Sequence, residues 1–294
     1  MKKRKIPQIT FAEHPDQERK CWIAISGCNF DCKACISVAK EGIGRALSVA
    51  ELIDLIVKGC QTIYKGKMVN RVCITGGEPL LDKEYFLSLT SELEKISVEK
   101  FELSTNGYFL DEELLKKLSS LKIDLLVKLD LKTYNDEIHK EYTGRSNANV
   151  LQAVELLSQY ASKLHKFGLS FVVRTVYMPD IFGLEEIKKI AKYLSKVDKN
   201  ICYRIQQFSP VHGKNISRRP TFEEMLIAYN VARRYMDNVI ISTYLPTRPE
   251  YNYVEVRADE LLDVFNEIDK KSAQVLESWN VKYFTMNQIL KEKN

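Results

Sequence analysis

Cys21-Trp22-Ile23-Ala24-Ile25-Ser26-Gly27-Cys28-Asn29-Phe30-Asp31-Cys32-Lys33-Ala34-Cys35 decides the reading of this chain. The first half is an apolar run of strand length, and the second sets three thiols, Cys28, Cys32 and Cys35, inside eight residues. Thiolates hold iron–sulfur clusters, and three of them can ligate three irons of a [4Fe-4S] cube while leaving the fourth iron open to a substrate or cofactor. Zinc is the competing occupant. Structural zinc closes four ligands, commonly from paired cysteines, and no second pair follows here. Cys21 does not complete the set, because six residues of extended strand put it roughly 20 Å from Cys28.

Outward from this stretch, β-branched or apolar runs alternate with helical patterns. Strands are expected at 21–26, 71–75, 100–104, 124–130, 169–176 and 201–208, and helices near 48–62, 83–96, 111–120, 147–166, 183–196 and 221–236. Ser48 and Asp111 supply helix-start signals. Six such units in series argue for an α/β fold with a parallel sheet and helices outside it.

Polar residues choose between an open sheet and a barrel. Parallel strands covered on both faces should be almost wholly apolar, yet Glu102 with Ser104, Lys128 with Asp130, Arg174, and Arg204 with Gln206 occupy single strand faces. Charge inside a sheet is costly unless it is paired or near water. A partial (β/α)6 barrel of the TIM type has a polar lumen that accounts for them; buried ion pairs are the alternative. Cys28, Gly76, Ser104, Asp130 and the Gln206–His212 stretch lie at the carboxyl ends of expected strands, where parallel α/β folds bind ligands.

The expected domains are an N-terminal segment 1–20, a core barrel 21–236 and a C-terminal α+β extension 237–294. The extension carries strand-like runs at 238–242 and 253–257 and an amphipathic helix at 258–271.

Composition sets bounds. The 294 residues can bury a sizeable core, and 45% apolar with 28% charged residues is ordinary for a globular chain. A net charge of +5 reads as a lysine-rich solvated surface, with no nucleic-acid partner expected. The basic start Met1–Pro7 lacks a following apolar stretch, so it is not read as a signal peptide. No run approaches ~18 apolar residues, so no membrane span is expected and the chain is read as cytoplasmic. Seven cysteines, three clustered, suit a reducing compartment, and Cys21, Cys60, Cys73 and Cys202 are expected in the core.

The Cys-x3-Cys-x2-Cys spacing together with Thr75-Gly76-Gly77-Glu78-Pro79 resembles the radical S-adenosylmethionine (SAM) superfamily. Ser104-Thr105-Asn106-Gly107, the run Asp124–Lys132, Asn135–His139 and Thr143-Gly144 resemble its glycyl-radical enzyme activases. The resemblance covers roughly residues 20–215.

It implies a [4Fe-4S] cluster on Cys28, Cys32 and Cys35, with SAM bound beside it. Ala34, Cys35, Ile36, Gly76, Gly77, Glu78, Ser104, Asp130, Lys132 and His212 would contact SAM, with Gly77 at its amino group, Glu78 ordering the turn, and Asp130 and Lys132 at its ribose or carboxylate. In those activases a monovalent cation lies by the SAM carboxylate, and here the ammonium of Lys128 is expected in its place. Arg174 matches an arginine lining the channel.

The implied chemistry is one-electron cleavage of SAM to a 5′-deoxyadenosyl radical, with a flavodoxin- or ferredoxin-type donor and a glycyl radical enzyme as partner. A radical SAM enzyme acting on a small molecule, nucleoside or peptide is one alternative, and a cluster-bearing redox module without SAM turnover is another.

Overall fold

Polar and apolar positions alternate along the strands, so each strand offers an apolar side to a helix and a polar side to the interior. A computed structural model describes residues 2–13, 18–35, 37–96, 98–164, 169–210, 216–243, 252–276 and 280–291. The chain opens with β1 (Arg4–Ile6), β2 (Gln8–Glu13), β3 (Arg19–Ile25) and β4 (Arg45–Leu47). Then follow α1 (Val49–Tyr64), β5 (Arg71–Gly76), α2 (Lys83–Lys95), β6 (Lys100–Thr105), α3 (Glu112–Leu118) and β7 (Asp124–Asp130). Two helices come next, α4 (Asp136–Thr143) and α5 (Ala148–Leu164), before β8 (Leu169–Tyr177), α6 (Leu184–Asp198), β9 (Cys202–Gln207), α7 (Phe222–Arg233) and β10 (Val239–Ser242). The chain closes with β11 (Asn252–Arg257), α8 (Leu262–Leu276), β12 (Asn280–Thr285) and α9 (Met286–Lys291).

Helix starts follow local chemistry. Ser48 and Thr221 form capping boxes with Glu51 and Glu224, while Asp82, Asp111 and Asn135 cap α2, α3 and α4 through side-chain oxygens.

Among the described residues, one ten-stranded sheet runs β10-β9-β8-β7-β6-β5-β3-β2-β11-β12. Strands β3, β5, β6, β7, β8 and β9 are parallel neighbours in turn, as the six expected β–α units require. On β7, Leu125, Val127 and Leu129 are buried in the main core with Leu114 and Val154, whereas Lys128 and Asp130 lie on the other face. Each such buried leucine or valine contributes about 2 kcal/mol. Residues at the carboxyl ends of β5 through β10 line a single cavity, so the parallel sheet wraps around it as an open barrel.

The segments on either side of the expected core both contribute strands to its sheet. Residues 1–20 supply β2, which pairs antiparallel with β3 and is part of the sheet. The C-terminal stretch is split: β10 extends the parallel sheet on β9, whereas β11 pairs antiparallel with β2 at the opposite edge and carries β12. Arg45 anchors this edge by bonding Asp259, Glu260 and Asn287. Arg257 lies between Glu255 and Asp269, over the rings of Tyr283 at 4.0 Å and Phe265 at 4.5 Å. A planar cation with carboxylates at its rim and aromatics on its faces is satisfied in every direction.

Among the described residues no helix is long and apolar enough to cross a membrane. Cys21, Cys60 and Cys73 are buried as expected, but Cys202, at the start of β9, is only half-buried.

Candidate active site

Three loops meet at the mouth of the barrel, and backbone hydrogen bonds lock them together. Gly77 N–H donates to the Ile25 carbonyl (2.9 Å) and Glu78 N–H to that of Gly27 (2.7 Å), which pins the Gly-Gly-Glu-Pro turn to the start of the cysteine loop. Gly76 has φ +122, and a Cβ at Gly77 would sit 2.0 Å from the Gly27 carbonyl oxygen. These glycines are therefore demanded by the chain's own backbone, a requirement separate from the ligand approach inferred from sequence. Restoring ordinary contact after Gly77→Ala needs a shift of more than about 1 Å, and such misplacement can cost about 100-fold in turnover. The expected result is a loss of that size in SAM cleavage with reduced iron loading; wild-type rates would overturn it.

Glu78 is fully buried and joins the turn to the next motif. Its carboxylate accepts from Leu80 N–H (2.9 Å), the Thr105 hydroxyl (2.7 Å) and Asn106 N–H (2.7 Å). Burial pushes its carboxyl up to about 7 against these three donors. Glu78 is not among the residues that line the cavity, and its three bonds match the turn-ordering role expected of it. Asn106 continues the chain of bonds, donating from Nδ2 to Asn29 Oδ1 at 2.8 Å and approaching Cys28 Sγ at 3.8 Å.

The cysteine loop is strapped from its other side by α4. Asp31 N–H donates to the Thr143 carbonyl (2.8 Å) and Lys33 N–H to that of Tyr142 (3.1 Å). Phe30 wedges edge-on between Tyr108 at 5.8 Å and His139 at 5.4 Å. The Asn135 cap and the left-handed Gly144 stop make α4 a complete short helix, and both residues are helix-boundary signals in the sequence.

Cys28, Cys32 and Cys35 face one cavity of about 560 Å³ together with Ala34, Gly76, Gly77, Ser104, Asp130 and Lys132. Of the remaining expected contacts, Ile36 and His212 lie outside the described residues. Burial raises the Cys28 thiol and lifts Cys32 to about 11, with Lys132 opposing it. Phe30 N–H points at Cys28 Sγ (3.4 Å). Among the described residues no three His, Cys, Asp or Glu side chains gather as a single-ion site. Three soft donors on one wall, with N–H groups aimed at one sulfur, fit a thiolate-held iron–sulfur cluster.

Behind the cysteines stands a charge triad. Asp130 accepts from Lys132 at 3.1 Å through one oxygen and from Arg174 Nε and Nη2, both at 2.8 Å, through the other. Burial works to raise Asp130, but Arg174 and Lys132 hold it below the usual carboxylate range. Burial also works against the Lys132 ammonium, and Asp130 more than restores it.

Lys128 does not join this triad. Its Nζ lies 2.5 Å from Glu102, which also binds Lys20 at 2.6 Å and Arg71 at 3.4 Å. The expectation that Lys128 stands in for a cation beside Asp130 is thus overturned, because a position two residues earlier on the strand lies deeper in the barrel. Lumen charges divide by depth: the lower ones pair with one another, and the upper ones face the cavity. Sequence reading placed Arg204 on the lumen face but assigned it no part in the site, and it too lines the cavity.

The Radical SAM superfamily signature matches residues 22–194. A protein of Methanocaldococcus jannaschii provisionally named a glycyl-radical enzyme activating enzyme is 31% identical over 234 residues, 80% of this chain and 85% of the relative. A GTP 3′,8-cyclase of Limosilactobacillus fermentum is 31% identical over 63% of this chain and 52% of its own length. A radical SAM methyltransferase from Sphaerobacter thermophilus superposes with TM-score 0.58 at 14% identity, covering 80% of this chain and 73% of that one, a likeness of fold.

Proposed function

This chain belongs to the radical SAM superfamily, and from that membership we propose that it activates a glycyl radical enzyme by removing a hydrogen atom from a glycine of the partner. Membership itself carries the [4Fe-4S] cluster and SAM as cofactors. The observation that carries the finer reading is the 31% identity to the M. jannaschii relative across 80% of this chain. The motif stretch 135–144 supports it, since it forms the helix that straps the cysteine loop.

Cys28, Cys32 and Cys35 would hold the cluster, while the Gly76-Gly77 edge, Ser104, Asp130 and Lys132 would hold SAM. When bound, the cluster and SAM would supply one-electron chemistry for removing a hydrogen atom from the target. The chain's own contribution is positional. Lys132 and Arg174, fixed on Asp130, offer donors to a carboxylate without losing side-chain freedom at the moment of binding. The Asn106–Glu78–Thr105 bonds keep the cysteine loop and the glycine turn at constant separation. Tyr142, Phe182 and Phe208 give the cavity an apolar flank, which keeps water from a reactive carbon centre. A flavodoxin- or ferredoxin-type protein would deliver the electron.

The test is anaerobic. The reconstituted, dithionite-reduced protein is mixed with SAM and a purified glycyl radical enzyme deuterated at glycine Cα. A glycyl radical signal in the partner and deuterium in 5′-deoxyadenosine are expected. Product without label or partner radical would favour the second reading, a small-molecule substrate, for which the 31% identity to the GTP 3′,8-cyclase is the supporting observation.

A further inference from the structure

One cation on the cavity wall is unaccounted for. Among the described residues the cavity faces a single carboxylate, Asp130, and three cations, Lys132, Arg174 and Arg204. Asp130 is divided between Lys132 and Arg174, so its charge is spent on them. Arg204 is the register partner of Arg174 on the adjacent strand, which places the two guanidinium-bearing residues about 4.8 Å apart along the sheet. The Nε of Arg204 is buried and, among the described residues, meets no acceptor. A buried donor of this kind is costly unless a ligand completes it.

The surroundings describe that ligand. Gln206, two residues on along the same strand face, and Ser209 add polar groups to the same wall. Beside them lies a small apolar cluster of Ala34, Tyr142, Met178, Phe182 and Phe208, separate from the main core, with Phe208 next to Ser209 and the adjoining Val176 the register partner of Gln206. A guanidinium presents parallel N–H groups that match a carboxylate. One uncommitted cation beside apolar side chains suits a monoanion with a hydrocarbon body, whereas a phosphate chain would want several cations.

We infer that Arg204 is a specificity residue that binds a carboxylate carried by the hydrogen donor. This rests on the reading that the donor meets SAM in this cavity. The carboxylate comes either from an acidic side chain beside the target glycine or from a free organic acid, and the two sources share this recognition.

The experiment uses the reconstituted, SAM-loaded protein and its Arg204→Gln and Arg204→Lys variants, titrated calorimetrically. One arm compares 3-phenylpropanoate with 3-phenylpropanamide. The other compares an acetylated, amidated pentapeptide holding glutamate next to glycine with its glutamine analogue. In at least one arm the carboxylate form is expected to bind wild type about tenfold or more tightly than the neutral form, the strength of a hydrogen bond to a charged group. Arg204→Gln erases that preference and Arg204→Lys keeps part of it. The responding arm identifies the source.

No preference in either arm, the same preference in Arg204→Gln, or tighter binding of inorganic phosphate than of either carboxylate would overturn the inference. Failure of the wild type to form 5′-deoxyadenosine would instead overturn the functional reading, since the Arg204 result is read from binding alone.

Discussion

Cys32→Ala is expected to give a folded protein that forms no detectable 5′-deoxyadenosine from SAM. Cys32 is one of three thiols facing the cavity, and two thiolates cannot hold three irons of a cube. Loss of even an outer partner of a metal ligand commonly costs 10- to about 100-fold, so removing a ligand should cost more. The fold should survive, because Cys32 is only partly buried where it packs against the two apolar clusters. The loop stays tied by the bonds of Asp31 and Lys33 to α4. Losing one sulfur from such a site costs about 1 kcal/mol, a shift of roughly 2–4 °C in Tm. Chromatography of the reaction, iron content and a melting curve together decide the matter. Wild-type product from Cys32→Ala would remove the cysteine from the site.

Glu102→Gln is expected to destabilise the protein by about 3–5 kcal/mol, the usual cost of removing one partner from a buried ion pair. The Glu102 side chain is 6% exposed, and it faces Lys128 and Lys20, themselves 13% and 14% exposed. The amide leaves both ammonium groups without their counter-charge. Burial already lowers Lys128. A denaturant titration with unchanged slope measures the loss. A double variant, Glu102→Gln with Lys128→Met, should recover part of it, because one stranded charge disappears. A loss below about 1 kcal/mol would show that water reaches this layer of the lumen.

The same residue shapes the acid limb of stability. Burial alone would raise the Glu102 carboxyl, but Lys128 and Lys20 overcome it and hold the group at about 2, against an ordinary 4.5. A carboxyl depressed in the folded state contributes fully above its unfolded value and loses that contribution as the pH falls toward the folded value. Wild type should therefore lose about 3 kcal/mol between pH 4.5 and about 2 from this group. Glu102→Gln should lack that component of the acid slope. Glu78 acts in the opposite sense: its carboxyl is raised to about 7 by burial, so its contribution declines as the pH climbs from 4.5 to that value.

Much of this molecule is legible in the chain. Three cysteines in eight residues state the chemistry, because soft thiolates at that spacing have few other uses. Alternation of strand and helix periods states the parallel sheet, and Asp130 and Arg174 on strand faces that should be apolar state that the sheet encloses something polar. Local rules suffice there, since periodicity and ligand type are properties of neighbouring residues.

Tertiary structure decided what depends on depth and on distant partners. Lys128 and Lys132 look equivalent on the strand face, yet only the fold separates the one bound to Glu102 from the one bound to Asp130. The same holds for Gly77, whose need to be glycine comes from a backbone fifty residues earlier, and for Glu78, whose three donors converge only after β5 and β6 pair. Residues 237–294 divide between opposite sheet edges because β2 offers β11 an unpaired edge, which no pattern within those residues records. Arg204 follows the same logic: its charge is plain in the sequence, but its lack of a counter-ion among the described residues is a fact of packing.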